Sequence, residues 1–325
     1  MRIHTLADLA MPGIPVWNRD FDRNASIIAL RQLSRNLSIP VRSLRGATLQ
    51  SYVGRVFATL PQRGFVPWLV PLGVYHRTRR RGLPYCPLCL RESPYYRLEW
   101  RLAFLTACRV HRVQLLDRCP ACAATVNFHR NVAARQLITQ CHQCGHLLDS
   151  GPAMPAGLAE WRAQEALFAI AFGSGVHPGP WPGLGRPDCL AVLRGLLGYL
   201  LGRHHNKRNE PWSADNGVHG QFPGIKSPFE ALVIADRRRQ LLGLATHAPW
   251  SLANVRSTLR RLDASPSVLQ EHLGRYRKHL GLPVPTPKVG PRRRNPATHR
   301  RVSTEDRVRL VPILLKRWGL EDGVD

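Results

Sequence analysis

The chain has 325 residues, 44% of them hydrophobic, and carries 47 lysines and arginines against 21 acids for a net charge of +26. That apolar share excludes a wholly disordered chain, and the cationic excess points to a polyanionic partner, with nucleic acid the first candidate. The most apolar run, from Leu190, is interrupted by Arg194 and is too short for a membrane span, and no leader-type apolar stretch precedes a small-residue cleavage site. The expectation is a soluble, cytoplasmic, nucleoid-associated protein with no membrane contact.

The charge is concentrated at the two ends. Residues 1–81 hold 13 basic and 3 acidic side chains and residues 231–325 hold 19 and 8, whereas residues 82–150 (8 and 4) and 151–230 (7 and 6) are closer to balance.

In chain order, Ile27, Leu30, Leu33 and Leu37 share one helical face, and Ser38-Ile39-Pro40 stops the run. A short turn or helix through Val41 and Leu44 follows. Thr48 then offers an N-cap to a third helix bearing Leu49, Tyr52, Val53, Val56 and Leu60. Three short helices with tight turns read as a helix-turn-helix-like unit, with an ordinary helical bundle as the alternative. Its basic excess, including Arg79, Arg80 and Arg81, favours the former, and Arg42, Arg45 and Arg55 are its other candidate DNA contacts.

The next 60 residues hold almost every cysteine. Cys86, Cys89, Cys108 and His111 form one set; adding 33 to each number gives Cys119, Cys122, Cys141 and Cys144. A Cys-x2-Cys pair aims two sulfurs at one point, and a second pair about 18 residues on closes a tetrahedron suited to Zn²⁺. Four protein ligands leave no open coordination position, so two structural zinc ions are expected, not a hydrolytic centre. The clean tandem favours serial pairing over an interleaved cross-brace. His129, His142 and His146 break the repeat and read as surface or supporting residues, and Cys189 as a buried small apolar residue.

Beyond Ser150-Gly151-Pro152, helices are expected over Leu158 to Phe172 and Pro187 to Leu201. The Gly/Pro/Trp stretch between them lacks the ending of a phosphate loop, as does GIKS at Gly224. Ser251 caps a helix with Leu252, Val255, Leu259 and Leu262 on one stripe and Arg256, Arg260 and Arg261 mostly off it. A second stripe, Leu269, Leu273, Tyr276 and Leu280, makes this pair a candidate second helix-turn-helix, with a solvated basic helix pair as the alternative. Residues 281–301 are Pro-rich and free of acids, a basic arm whose Arg292, Arg293 and Arg294 suit a polyanion, and a short helix follows from Val302.

The fold class is therefore mainly α. The expected order is an N-terminal helix-turn-helix-like region (residues 1–81), a tandem pair of structural zinc fingers (82–150), a helical region with a candidate second helix-turn-helix (151–280) and a basic arm with a terminal helix (281–325).

The run YCPLCLRESPYYRLEWRLAFLTACRVHRVQLLDRCPACAATV, followed by QCHQCGHLLDS, resembles the TniQ family in both spacing and intervening residues. The segment before Tyr85 is similar in placement to the family's N-terminal helix-turn-helix, although DRNASIIALRQLSRN stands where members often carry an acidic pair and a Ser-Trp-x-x-Arg segment. The resemblance implies a non-enzymatic target-selection subunit of a DNA transposition system. Such a subunit engages a DNA site, or an RNA-guided complex seated on it, and recruits an AAA+ ATPase regulator that brings the transposase. A zinc-containing transcriptional regulator and a zinc module that binds only proteins are the alternatives. Cutting or joining DNA by two-metal chemistry needs clustered carboxylates, and the acids here are scattered.

Overall fold

The computed structural model describes residues 20–62, 64–72, 82–127, 130–131, 137–174, 181, 183–201, 228–245, 248, 250–261 and 273–280. The chain divides into two units, residues 1–285 and 286–325, the second lying outside the described residues. Among the described residues the fold is mainly helical, with isolated β-bridges and no β-sheet.

The N-terminal helices are α1 (Phe21–Asn24), α2 (Ile27–Leu37) and α3 (Val41–Gly46). Ser26 begins α2 by accepting a hydrogen bond from the backbone N–H of Ala29, and Ser38, at φ 56°, ends it in the left-handed region. The expected stop at Ser38-Ile39-Pro40 is thus present, but the expected buried face is only partly used. Leu30 is buried and Leu33 half-buried, while Ile27, Ile28 and Leu37 remain exposed.

The third helix expected from Thr48 is cut short. Thr48 does cap it, accepting from Gln50 N–H, yet only a 3-10 turn, Leu49–Tyr52, forms. Val53 is extended and Gly54 has φ 80°, a conformation open to glycine at little cost, so the chain bends and swings Val56 and Phe57 into the core while Val53 stays exposed. A helical period read through Gly54 put Val53 inward and passed over Phe57, while Leu49 and Val56 are buried as that period expects.

The segment that follows buries Val66, Trp68, Leu69 and Val70 in the core. Trp68 stacks edge-on against Phe104 and Phe229, both at 5.6 Å between centroids, and its indole N–H donates to the Leu190 carbonyl at 2.8 Å. Helix α4 (Pro87–Glu92) opens the cysteine-rich stretch. Three longer helices, α5 (Leu158–Phe172), α6 (Arg186–Leu201) and α7 (Ile234–Ala245), pack on one another. The apolar run from Leu190 lies in α6, where Leu190, Val192, Leu193, Leu196 and Leu197 are all buried, as is Cys189.

Helix α8 (Leu252–Arg261) is capped at Ser251, which accepts from Asn254 N–H, and buries Val255 and Leu259 as its stripe predicted. A 3-10 turn, Gly274–Tyr276, leads into α9 (Arg277–Leu280), with Leu273 and Leu280 buried. One hydrophobic core runs from Leu49 to Leu280 and includes Cys86, Cys89, Cys108, Cys119 and Cys141.

Candidate metal centres

Two clusters of four potential ligands stand in the structure, Cys86, Cys89, Cys108 and His111 in one and Cys119, Cys122, Cys141 and Cys144 in the other, the ligand atoms of each lying within 4.8 Å of one another. The pairing is serial.

Three of the four ligand pairs share one backbone design. Cys108 N–H donates to Val113, Cys119 N–H to Ala124 and Cys141 N–H to His146; Arg112, Ala123 and Gly145, each four residues past the leading cysteine, donate back to it. Those three residues all have positive φ, at 54°, 57° and 79°. The bridges Ala107↔Gln114, Arg118↔Thr125 and Gln140↔Leu147 close the three knuckles.

The fourth pair departs from this design. Cys86 is the N-cap of α4, its sulfur accepting from Cys89 N–H, and Pro87 occupies the first helical turn. Leu90 continues the helix because it is buried in the core, whereas Ala123 in the corresponding second set turns left-handed. The same Cys-Pro-x-Cys spelling therefore yields a helix once and a knuckle once.

Because L-residues pay for positive φ, the knuckles give a direct test. Gly145→Ala is expected to cost about 1 kcal/mol, while Ala123→Gly is expected to gain about 0.5 kcal/mol after the added freedom of the unfolded chain is deducted. Metal-loaded thermal denaturation of the two variants checks the opposite signs.

At the first centre, His111 Nδ1 lies 3.6 Å from Cys86 Sγ, 3.3 Å from Cys89 Sγ and 3.7 Å from Cys108 Sγ, and Cys89 Sγ is 3.5 Å from Cys108 Sγ. At the second, Cys119 and Cys144 are 3.7 Å apart and Cys122 and Cys141 3.6 Å. A tetrahedral Zn²⁺ with its usual Zn–S and Zn–N lengths requires ligand–ligand edges of about 3.5–3.8 Å, so both donor sets fit such an ion. The two centres differ in exposure. All three cysteines of the first are buried, but Cys144 is exposed and Cys122 half-buried.

The thiols divide protons unequally. A hydrogen bond shared with Cys108 and then burial push Cys86 up, and burial followed by the Cys108 hydrogen bond pushes Cys89 up to about 11. The hydrogen bond to Cys86 lowers Cys108 to about 4. Burial disfavours a charged His111, but hydrogen bonds to Glu92 and Cys108 outweigh it and raise its pKa. In the second centre the His146 N–H lowers Cys144 to about 7, while Cys122 accepts from Ala124 N–H yet is pushed up to about 12 by burial and neighbouring thiols.

A pH dependence follows. At pH 7 the metal-free first centre holds Cys108 as thiolate, Cys86 and Cys89 as thiols, and His111, its pKa raised, in part as imidazolium, so a metal that takes three thiolates and a neutral imidazole expels about two to three protons. Its affinity there is expected to rise by about two to three log units per pH unit near pH 7 and to fall in acid, as measured by chelator competition at three pH values. A flat profile would contradict the assignment.

Several contacts seat the first centre on the helical body. Arg109, inside the knuckle, donates to both Glu165 oxygens (2.7 and 3.0 Å) while its guanidinium lies 3.5 Å from the Phe168 ring centroid. Gln164 of α5 accepts from the N–H groups of Thr106 and Ala107, and Glu160 accepts from the Thr106 hydroxyl and from Arg238. Arg97 lies close enough to Cys89 for the sulfur to raise its pKa against the lowering effect of burial.

The candidate DNA contacts fall into three groups. Arg42 and Arg45 are exposed on α3, and Arg31 and Arg35, which the sequence reading passed over, are exposed on α2. Arg55 is exposed, with its guanidinium 5.8 Å from the Phe172 ring centroid, and Arg256 donates to the Leu280 carbonyl at 2.6 Å, which ties down α8. Arg79, Arg80, Arg81, Arg292, Arg293 and Arg294, with the side chains of Arg260 and Arg261, lie outside the described residues, as does His129.

Residues 1–115 match the TniQ family. This stretch of the chain is similar to the TniQ family. The TniQ match takes in the N-terminal helices, α4 and the whole of the first metal centre, and stops before Cys119. No curated protein matches the chain. Among the described residues no helix is long and apolar enough to cross a membrane.

Two arrangements around the TniQ segment had no local sequence signal. Arg101, 1% exposed, binds Asp20 and Asp22 of the N-terminal segment and the Val70 carbonyl. Glu230, also 1% exposed, accepts from Trp68 N–H at 2.7 Å and from Arg194 through two bonds of 2.6 and 3.0 Å. Both unite residues far apart in the chain. Only the excess of arginines beside isolated acids could have hinted at them.

Proposed function

We propose that the protein is a zinc-containing DNA-binding adaptor of a multi-protein transposition system. In this reading it helps to select the target site and recruits an AAA+ ATPase regulator and, through it, the transposase. The observation that carries the reading is the TniQ match over a segment in which α2 and α3, joined by a three-residue turn, expose Arg31, Arg35, Arg42 and Arg45. Exposed guanidinium groups on a short helix pair suit phosphate contacts, and a net charge of +26 suits a polyanion.

The two clusters would hold one structural Zn²⁺ each, supplying a rigid cross-link and no reaction. In this reading the N-terminal helices and the basic residues 281–325 contact DNA, and the metal-bearing body contacts the partners. A guide-RNA complex on the target is a further partner of the same scheme, and a nucleoid-associated, cytoplasmic location goes with it.

Retention of random duplex DNA by the zinc-loaded protein, followed by sequencing, tests this reading. Enrichment of one motif would mean direct base readout; retention without enrichment would mean that a partner selects the site. Replacing Arg42 and Arg45 with alanine is expected to weaken binding on all sequences alike and to reduce the slope of log K against log salt by about 2 in magnitude. An unchanged slope would remove α3 from the interface, and no DNA retention by the intact protein would favour a zinc module that binds only proteins.

A further inference from the structure

The two sets of the 33-residue repeat differ at one ligand, His111, and at most of the intervening positions, Glu92 among them. The repeat places Cys144 where the first set has His111, and it places Thr125 where the first set has Glu92. The structure joins these two departures. His111 Nε2 lies 2.7 Å from Glu92 Oε1, while its Nδ1 faces the three sulfurs of Cys86, Cys89 and Cys108. Thr125 instead accepts from the Asn127 side chain at 2.8 Å.

We infer that Glu92 is the positioning residue of the first metal centre: its carboxylate accepts the Nε2–H of His111 and so holds the imidazole with its Nδ1 lone pair toward the metal. The inference rests on the reading of this cluster as a metal site. A neutral imidazole has one N–H and one lone pair, and whichever nitrogen meets a strong acceptor keeps the proton. Here the acceptor sits on the side away from the sulfurs.

The placement of Glu92 follows from α4. Glu92 is the last residue of that helix and stands three positions after Cys89, on the same face about one turn along. The knuckle at Cys119 has no such helix and its centre has no imidazole. A thiolate at Cys144 carries no N–H to donate, and a carboxylate beside it would only add like charge. The carboxylate is present where a ligand has a proton to be oriented and absent where none has.

Glu92 itself is largely exposed, its side chain at 58% against 14% for His111. As a surface ion pair the contact would contribute little. As an acceptor for a metal-bound imidazole it orients the ring and raises the basicity of the ligand nitrogen, for which losses of about 10- to 100-fold in metal affinity on removal are typical.

The test uses the full-length, zinc-loaded protein, with zinc per chain measured by elemental analysis and affinity by graded chelator competition. In the Glu92→Ala variant one of two zinc ions is expected to bind about 10- to 100-fold more weakly, with the other unchanged. Glu92→Gln, which keeps an acceptor oxygen, is expected to recover much of the loss. On the H111C background, where the fourth ligand has no N–H, E92A is expected to have no weakening effect. Cobalt substitution gives an independent readout, since the charge-transfer and ligand-field bands of a three-sulfur, one-nitrogen centre should shift in E92A.

Wild-type affinity of both ions in E92A would overturn the inference, as would an equal weakening by E92A with and without His111. A wild-type protein that holds no zinc at the first cluster would overturn the metal reading itself. The two failures are thus told apart.

Discussion

With each cluster holding a Zn²⁺ as proposed, the Cys89→Ser variant is expected to bind one ion in place of two and to lose the native fold of the segment that matches TniQ. Cys89 lies in the same core as Leu90, Trp100 and Phe104 and is 1% exposed, so the cross-link it helps to make is internal to the packing. A structural zinc contributes on the order of 10–16 kcal/mol of apparent binding energy, as much as or more than the ~5–15 kcal/mol net stability of a typical domain. Its loss would leave the core without enough stabilisation to offset chain entropy. Far-UV circular dichroism and limited proteolysis of the variant, with zinc per chain measured alongside, check this.

Cys144→Ser provides the contrast. Cys144 is exposed, so its loss should empty the second centre and loosen the chain around it while the first centre keeps its ion. Graded chelation of the wild type should follow the same order, the second centre emptying first. A C89S protein with wild-type melting behaviour would show that the first cluster does not hold the core together.

The Glu230→Ala variant is expected to cost about 3–5 kcal/mol, because removal of one partner strands buried charge. Glu230 receives three hydrogen bonds, from the Trp68 N–H and twice from Arg194, and is 1% exposed. Truncation leaves both donors unanswered. Trp68 adds to the penalty, since its backbone sits at φ 65°, where a bulky residue persists only if its surroundings hold it.

For a domain of this size the loss corresponds to a fall in melting temperature of about 10 °C. Thermal denaturation monitored by circular dichroism reads the loss of stability. Glu230→Gln, which retains an acceptor for the Trp68 N–H, should lose markedly less. A change below about 1 kcal/mol in E230A would mean that water replaces the carboxylate and that the core tolerates it.

The buried cations have the same logic. Arg237 is buried, donates to the Ala103 carbonyl and has its pKa lowered to about 10, chiefly by burial, with Asp117 and Glu230 acting in the opposite direction. Helix α7, which carries it, was missed from the sequence. Arg237 and Gln240 are buried polar residues on its inner face, so the apolar stripe that would have announced the helix is interrupted. Helices α5, α6 and α8 were legible because their inner faces are mostly apolar or their caps are marked, as at Ser251.

What the sequence determined by itself is the ligand chemistry and its serial grouping, because a 33-residue repeat places donors by chain distance alone. It also determined those helix ends that one side chain sets within one turn, at Ser38, Thr48 and Ser251. What only the tertiary structure decided is where a local rule gives way. Cys-Pro-x-Cys became a helix at Cys86 because Leu90 had a core to enter, and a knuckle at Cys119. The helix from Thr48 ended at Tyr52 because Gly54 bent the chain and the core took Val56 and Phe57. The Arg101–Asp20 and Trp68–Glu230 contacts span 81 and 162 residues. Capping and periodicity act over three or four residues, whereas the pairing of buried charges depends on which elements packing brings together.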